Sequence, residues 1–96
     1  MTRLLLVCLL LGPCSKREKE LRGYHEPTPD GGTMLSVEDC AGPWAFIDGH
    51  KVKPNTLVPV KPGSHEVACG DRFEKDTAMG VDVPRGRSYH FDYWGP

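Results

Sequence analysis

The chain lacks most of the features that mark the common functional classes. Twelve Lys and Arg against thirteen Asp and Glu leave a net charge of −1. Without a basic surplus or a basic stripe, there is no electrostatic case for nucleic acid or for an anionic membrane surface. No apolar run approaches the roughly 20 residues that span a bilayer as a helix; the longest, Leu4 to Leu11, has eight. There is no Cys-x-x-Cys, and Cys14, Cys40 and Cys69 stand far apart without paired His, which argues against zinc. Ser36, Ser64 and Ser88 lack a Gly-x-Ser-x-Gly elbow, and Asp48-Gly49 lacks the Asp-x-Asp-x-Asp-Gly spacing of a calcium loop. His65-Glu66-Val67-Ala68-Cys69 begins like a metalloprotease helix but alternates as a strand, where His65 and Cys69 would lie about 13 Å apart, too far for one metal. The expectation is a protein with no enzymatic activity, metal or cofactor.

Helix is also scarce as an option. Eleven Gly and nine Pro interrupt the chain, and these residues favour turns.

What is present at the start is an export pattern. Arg3, the apolar run and Gly12-Pro13 are followed by the charged stretch Lys16 to Glu20, which reads as a signal peptide over residues 1–14. Leu11-Gly12-Pro13-Cys14 resembles a bacterial lipobox, with Pro13 where Gly, Ala or Ser is usual. Lipidation of Cys14 would anchor the protein to a membrane through two acyl chains, enough for stable attachment. The alternative is ordinary cleavage, with Gly12 and Cys14 at the −3 and −1 positions, releasing a soluble periplasmic or secreted protein that starts at Ser15. Residues 15–32, rich in charge, Pro and Gly, read as a flexible tether.

From Thr33 onward the apolar residues alternate. Leu35 and Val37 share one strand face, and Trp44 to Asp48 form a strand that ends at the hairpin signal Asp48-Gly49. Val58 and Val60 follow, then a Pro62-Gly63 turn and a strand bearing His65, Val67 and Cys69. Val81 and Val83 precede the turn Pro84-Arg85-Gly86-Arg87, after which Tyr89, Phe91 and Tyr93 point to a core opposite a polar His90 and Asp92 face. Short alternating segments bounded by turns predict an all-β fold, a small antiparallel β-sandwich over residues 33–96. Inward Ala45 and Ile47 would turn Trp44 and Phe46 outward, and with Trp94 these form the candidate binding surface.

Ile47-Asp48-Gly49 and Val60-Lys61-Pro62-Gly63-Ser64-His65-Glu66-Val67 resemble the Val-Asp-Gly and Pro-Gly-x-His-x-Val motifs of PEGA domains. The resemblance runs from Gly32 to Trp94, with Cys40 and Cys69 additional to it. It implies an extracytoplasmic sandwich similar to immunoglobulin-like and carbohydrate-binding modules, attached to surface proteins and lipoproteins, and implies no known ligand; the expected partner is an envelope protein or glycan. Once a signal is removed, Cys40 and Cys69 are the natural pair for a disulfide in a small exported domain, the alternative being two buried thiols.

Overall fold

Turn chemistry organises the chain as the sequence anticipates. Asp48 and Gly49 both take positive φ, 53° and 82°, as a two-residue hairpin turn of the favoured twist requires. Gly86 takes φ 77°, and Arg87 N–H donates to Pro84 O at 3.3 Å, closing a type II turn. The computed structural model describes residues 18–20 and 22–94; the expected signal segment, residues 1–14 with Cys14, lies outside them.

Nine strands fill this span: β1 (Glu18–Glu20), β2 (Gly23–Pro27), β3 (Met34–Glu38), β4 (Trp44–Ile47), β5 (His50–Val52), β6 (Val58–Pro59), β7 (Gly63–Gly70), β8 (Met79–Val83) and β9 (Arg87–Asp92). They make a five-stranded sheet of order β1-β2-β9-β3-β6 and a four-stranded sheet of order β5-β4-β7-β8. One core lies between them. Leu35, Val37, Tyr89, Phe91 and Tyr93 enter it from the first sheet side, and Ala45, Ile47, Val67, Val81 and Val83 from the second. Full burial stabilises each of the larger aliphatic and Phe side chains by about 1.5–3 kcal/mol.

Two expectations are corrected. The sandwich is not wholly antiparallel, because β3 and β9 pair in parallel, Met34 opposite Ser88 through Glu38 opposite Asp92. Between them the chain builds the second sheet, dipping back once for β6, so the two strands arrive at the first sheet running the same way. The second correction concerns residues 15–32. Gly23–Pro27 is no spacer but a strand paired with β9 along its whole length, and Glu18–Glu20 pairs with β2 in turn. Backbone hydrogen bonding carries this pairing where apolar side chains are few. His25 is buried against Tyr89, ring centroids 5.6 Å apart, and Tyr24 stacks on His90 at 4.6 Å. Gly23 is required there, since a Cβ would sit 2.0 Å from His90 O.

Candidate functional site

Cys40, just after β3, and Cys69, in β7, form a disulfide with Cα atoms 5.6 Å apart, a normal separation. The bridge ties the first sheet to the second at the end of the β4–β7 ladder where Ala45 faces Cys69. Gly42 packs against Gly70 so closely that a Cβ would lie 2.5 Å from Gly70 Cα, and Gly42 N–H donates to Cys69 Sγ at 3.3 Å. Tyr93 completes this margin, its hydroxyl donating to Thr77 O at 2.6 Å.

The three aromatic residues of the expected surface have different fates. Trp94 is 66% exposed and stands edge-on to Tyr93 at 5.6 Å. Trp44 is half-buried, with the Lys51 ammonium 4.6 Å above its ring. Phe46 is a correction. It does face away from the inter-sheet core, yet it is only 5% exposed, because the segment after β7 folds back and sets Phe73 against it, centroids 6.1 Å apart. Lys75, from the 3-10 turn Lys75–Thr77 that follows Phe73, reaches Glu66 Oε2 at 3.1 Å. Of the three, only Trp94 is fully presented.

At the other end of the β4–β7 ladder, His65 occupies a position more specific than a sheet histidine beside a turn. Its Nδ1–H donates to Asp48 Oδ2 and its Nε2–H to Lys61 O, both at 2.6 Å. Both partners are acceptors, and a neutral imidazole has one N–H, so the geometry selects the imidazolium. Burial alone would lower the His65 pKa, but the bonds to Asp48 and Lys61 and the charges of Asp48 and Asp82 outweigh it and raise the value. Burial likewise opposes ionisation of Asp48, yet the bonds from His65 and from Glu66 N–H, 2.9 Å to Oδ1, hold its carboxyl below the usual range. The motif residues quoted from the sequence therefore form a latch between the β4–β5 turn and the segment joining β6 to β7.

Beside the latch the sandwich is open. Edge strands β5 and β6 belong to different sheets and flank a groove of about 280 Å3. Ile47, Val52, Val58 and Val60 supply its apolar wall, while Asp48, His50, Lys61 and His65 stand around it. A second depression of about 290 Å3, where β8 faces β9, is mixed in character and includes Arg22 and Asp82. There Arg22 is already engaged, its Nη1–H donating to Tyr93 O at 2.7 Å.

The outer face of the first sheet carries a polar row. His90 Nδ1 meets Glu38 Oε2 at 2.6 Å, and Nε2 lies 3.7 Å from Glu26 Oε2; Ser36 Oγ–H donates to Glu38 Oε2 at 3.0 Å. Asp92, farther along this row, is pushed up in pKa by a hydrogen bond shared with the Asp39 carboxyl, together with burial and repulsion. The polar face expected of His90 and Asp92 is thus a paired network under Tyr24. Among the described residues, no three His, Cys, Asp or Glu side chains are grouped to hold a metal ion.

No protein-family model matches the chain, and neither a curated protein nor a solved structure does so.

Proposed function

We propose that this protein is a PEGA-like, non-catalytic sandwich module exported to a bacterial cell envelope and anchored there by lipid on Cys14, where it engages a protein or glycan partner. The observation that carries the reading is the Cys40–Cys69 disulfide. Such bridges persist where thiols are not kept reduced, and the one here joins the two sheets of a small domain. Its position after the export pattern of residues 1–14 agrees with a compartment outside the cytoplasm. The exposed indole of Trp94 and the open groove between β5 and β6 offer contact surface, which favours an interaction role over catalysis. Pro13, where a lipobox usually has a small residue, keeps a soluble periplasmic or secreted ligand-binding or inhibitory domain as the second reading.

The deciding experiment is detergent-phase partitioning with metabolic fatty-acid labelling of the wild type and of Cys14→Ala. The anchored reading expects label and detergent-phase recovery in the wild type and loss of both in the variant. An unlabelled wild type in the aqueous phase, with Ser15 as its N-terminus, establishes the soluble reading instead.

A further inference from the structure

The groove beside the His65 latch has a composition that indicates what it holds. Its wall of Ile47, Val52, Val58 and Val60 belongs to the margin of the core, where Val52, Val58 and Val60 are only partly buried. An opening of this size accepts one or two apolar side chains, being at the small end of the range for ligand clefts.

The chain segment that forms two of its sides is one-sided in charge. Residues 49–65 contain Lys51, Lys53 and Lys61 and none of the chain's thirteen Asp and Glu, so the rest carries nine basic and thirteen acidic residues, a balance of −4. The overall −1 therefore conceals a cationic stretch of chain, of which Lys61, with His50 and His65, lines the groove, while Lys51 turns to the outer face over Trp44. Asp48 borders the slot, but its charge is matched by the His65 imidazolium. Lys53, Lys61 and His50 are exposed, and Leu57, 37% exposed, lies on the loop between the two edge strands. Pro59 in β6 and Lys51 in β5 discourage continuous strand addition along these edges. Side-chain insertion with charge pairing is the mode that remains.

We propose that this groove docks an acidic, extended segment of a partner protein, placing one or two aliphatic side chains against Ile47, Val52, Val58 and Val60 and its carboxylates beside Lys53, Lys61 and His50. This rests on the interaction-module reading above and specifies its site and partner chemistry. Phosphate-rich membrane surface is the competing source of negative charge, and it has no use for a walled slot.

The test is a titration of the 15N-labelled full chain, Cys40–Cys69 oxidised, with the peptide Glu-Leu-Glu-Val-Glu-Leu-Glu, its Lys-Leu-Lys-Val-Lys-Leu-Lys counterpart, and vesicles containing phosphatidylglycerol. The expected result is saturable shifts at the Ile47, Val52, Val58, Val60 and Lys61 amides with the acidic peptide. Affinity should weaken roughly tenfold or more in Lys53→Glu/Lys61→Glu, about 1.4 kcal/mol, and remain unchanged in Arg85→Glu; matching thermal melts establish that all variants fold. No shifts, equal binding of the two peptides, shifts confined to other residues, or groove shifts with vesicles but not peptide would each overturn the proposal. None of these outcomes alters the partitioning of Cys14→Ala, so failure of the docking site is distinguishable from failure of the export reading.

Discussion

The two ends of the β4–β7 ladder are held together by different chemistry. At one end a covalent bridge joins Cys40 to Cys69, with Gly42 packed on Gly70 and Tyr93 closing the core. At the other, a single imidazolium joins Asp48 to the Lys61 carbonyl beside an open apolar groove. The bridge acts chiefly on the unfolded chain by removing conformations, whereas the latch exists only in the folded state and depends on protonation. A small sandwich thus has one margin closed by a bond that does not titrate and another closed by a bond between two groups that do. The second margin is also the one with Lys61 and His50 beside an apolar groove.

The harshest way to break this comparison is truncation after Arg87. β9 pairs with both β2 and β3 and delivers Tyr89, Phe91 and Tyr93 to the core, so both margins should fail together. Circular dichroism should show no cooperative melting, and a preserved transition would mean that β9 is dispensable.

Replacing Cys40 and Cys69 with Ala separates the margins. For a sequence separation of 29, the chain-entropy relation gives a loss of about 3–4 kcal/mol, a large share of the stability of a domain this small. Urea denaturation of oxidised, reduced and substituted protein measures it, and superimposable curves would refute a structural role for the bridge.

Gly42→Ala leaves the bridge chemically possible but drives a Cβ into Gly70. Overpacking of this kind costs about 1–3 kcal/mol, and the same change at Gly49, whose position is spatially open, isolates its φ strain from any clash. The urea midpoint should fall in Gly42→Ala without a change in slope.

His65→Ala removes the latch and should cost about 1 kcal/mol, the scale of a partly exposed charge-assisted hydrogen bond. Here the pH profile discriminates. Because the His65 pKa is raised in the folded state, its contribution is complete below the ordinary value of about 6.5 and disappears as pH rises through the folded value. Because the Asp48 pKa is lowered, its contribution is complete above about 3.8 and disappears as pH falls through the folded value. Thermal melts from pH 3 to 9 should show the difference between wild type and His65→Ala greatest between these limits; a constant offset at every pH would show that packing, not the ion pair, had been lost.

Much of this architecture can be read from local chemistry. Asp48-Gly49 and Pro84-Gly86 mark real turns because each requires the positive φ that glycine, or Asp in a tight hairpin, supplies, whereas Pro62-Gly63 makes a bend from which Gly63 starts β7 directly. Alternation places Tyr89, Phe91 and Tyr93 correctly, since one face of β9 is buried and the other polar. The disulfide joins the two cysteines expected to pair, Cys40 and Cys69.

Non-local features are less visible. β2 contains Tyr24, His25 and Glu26 where a strand usually shows aliphatic residues, and its stability comes from β9, more than sixty residues later. The parallel β3–β9 pair has no local signature, because it depends on where the intervening strands return the chain. Phe46 appears outward by alternation and is covered by Phe73 from a segment without period. His65 is legible as a strand residue, but its two acceptors lie at Asp48 and Lys61, and only the folded turn brings them to opposite sides of one ring.

Residue-resolved amide hydrogen exchange, expressed as protection factors at pH 5.5 and pH 8.5 on the oxidised protein, tests the contrast between the margins most directly. Protection at pH 8.5 should fall around Asp48, in β5 and across Lys61–His65, while Ala45, Cys69 and Phe91 keep theirs. A uniform loss across both sheets, or no loss near His65, would contradict the account.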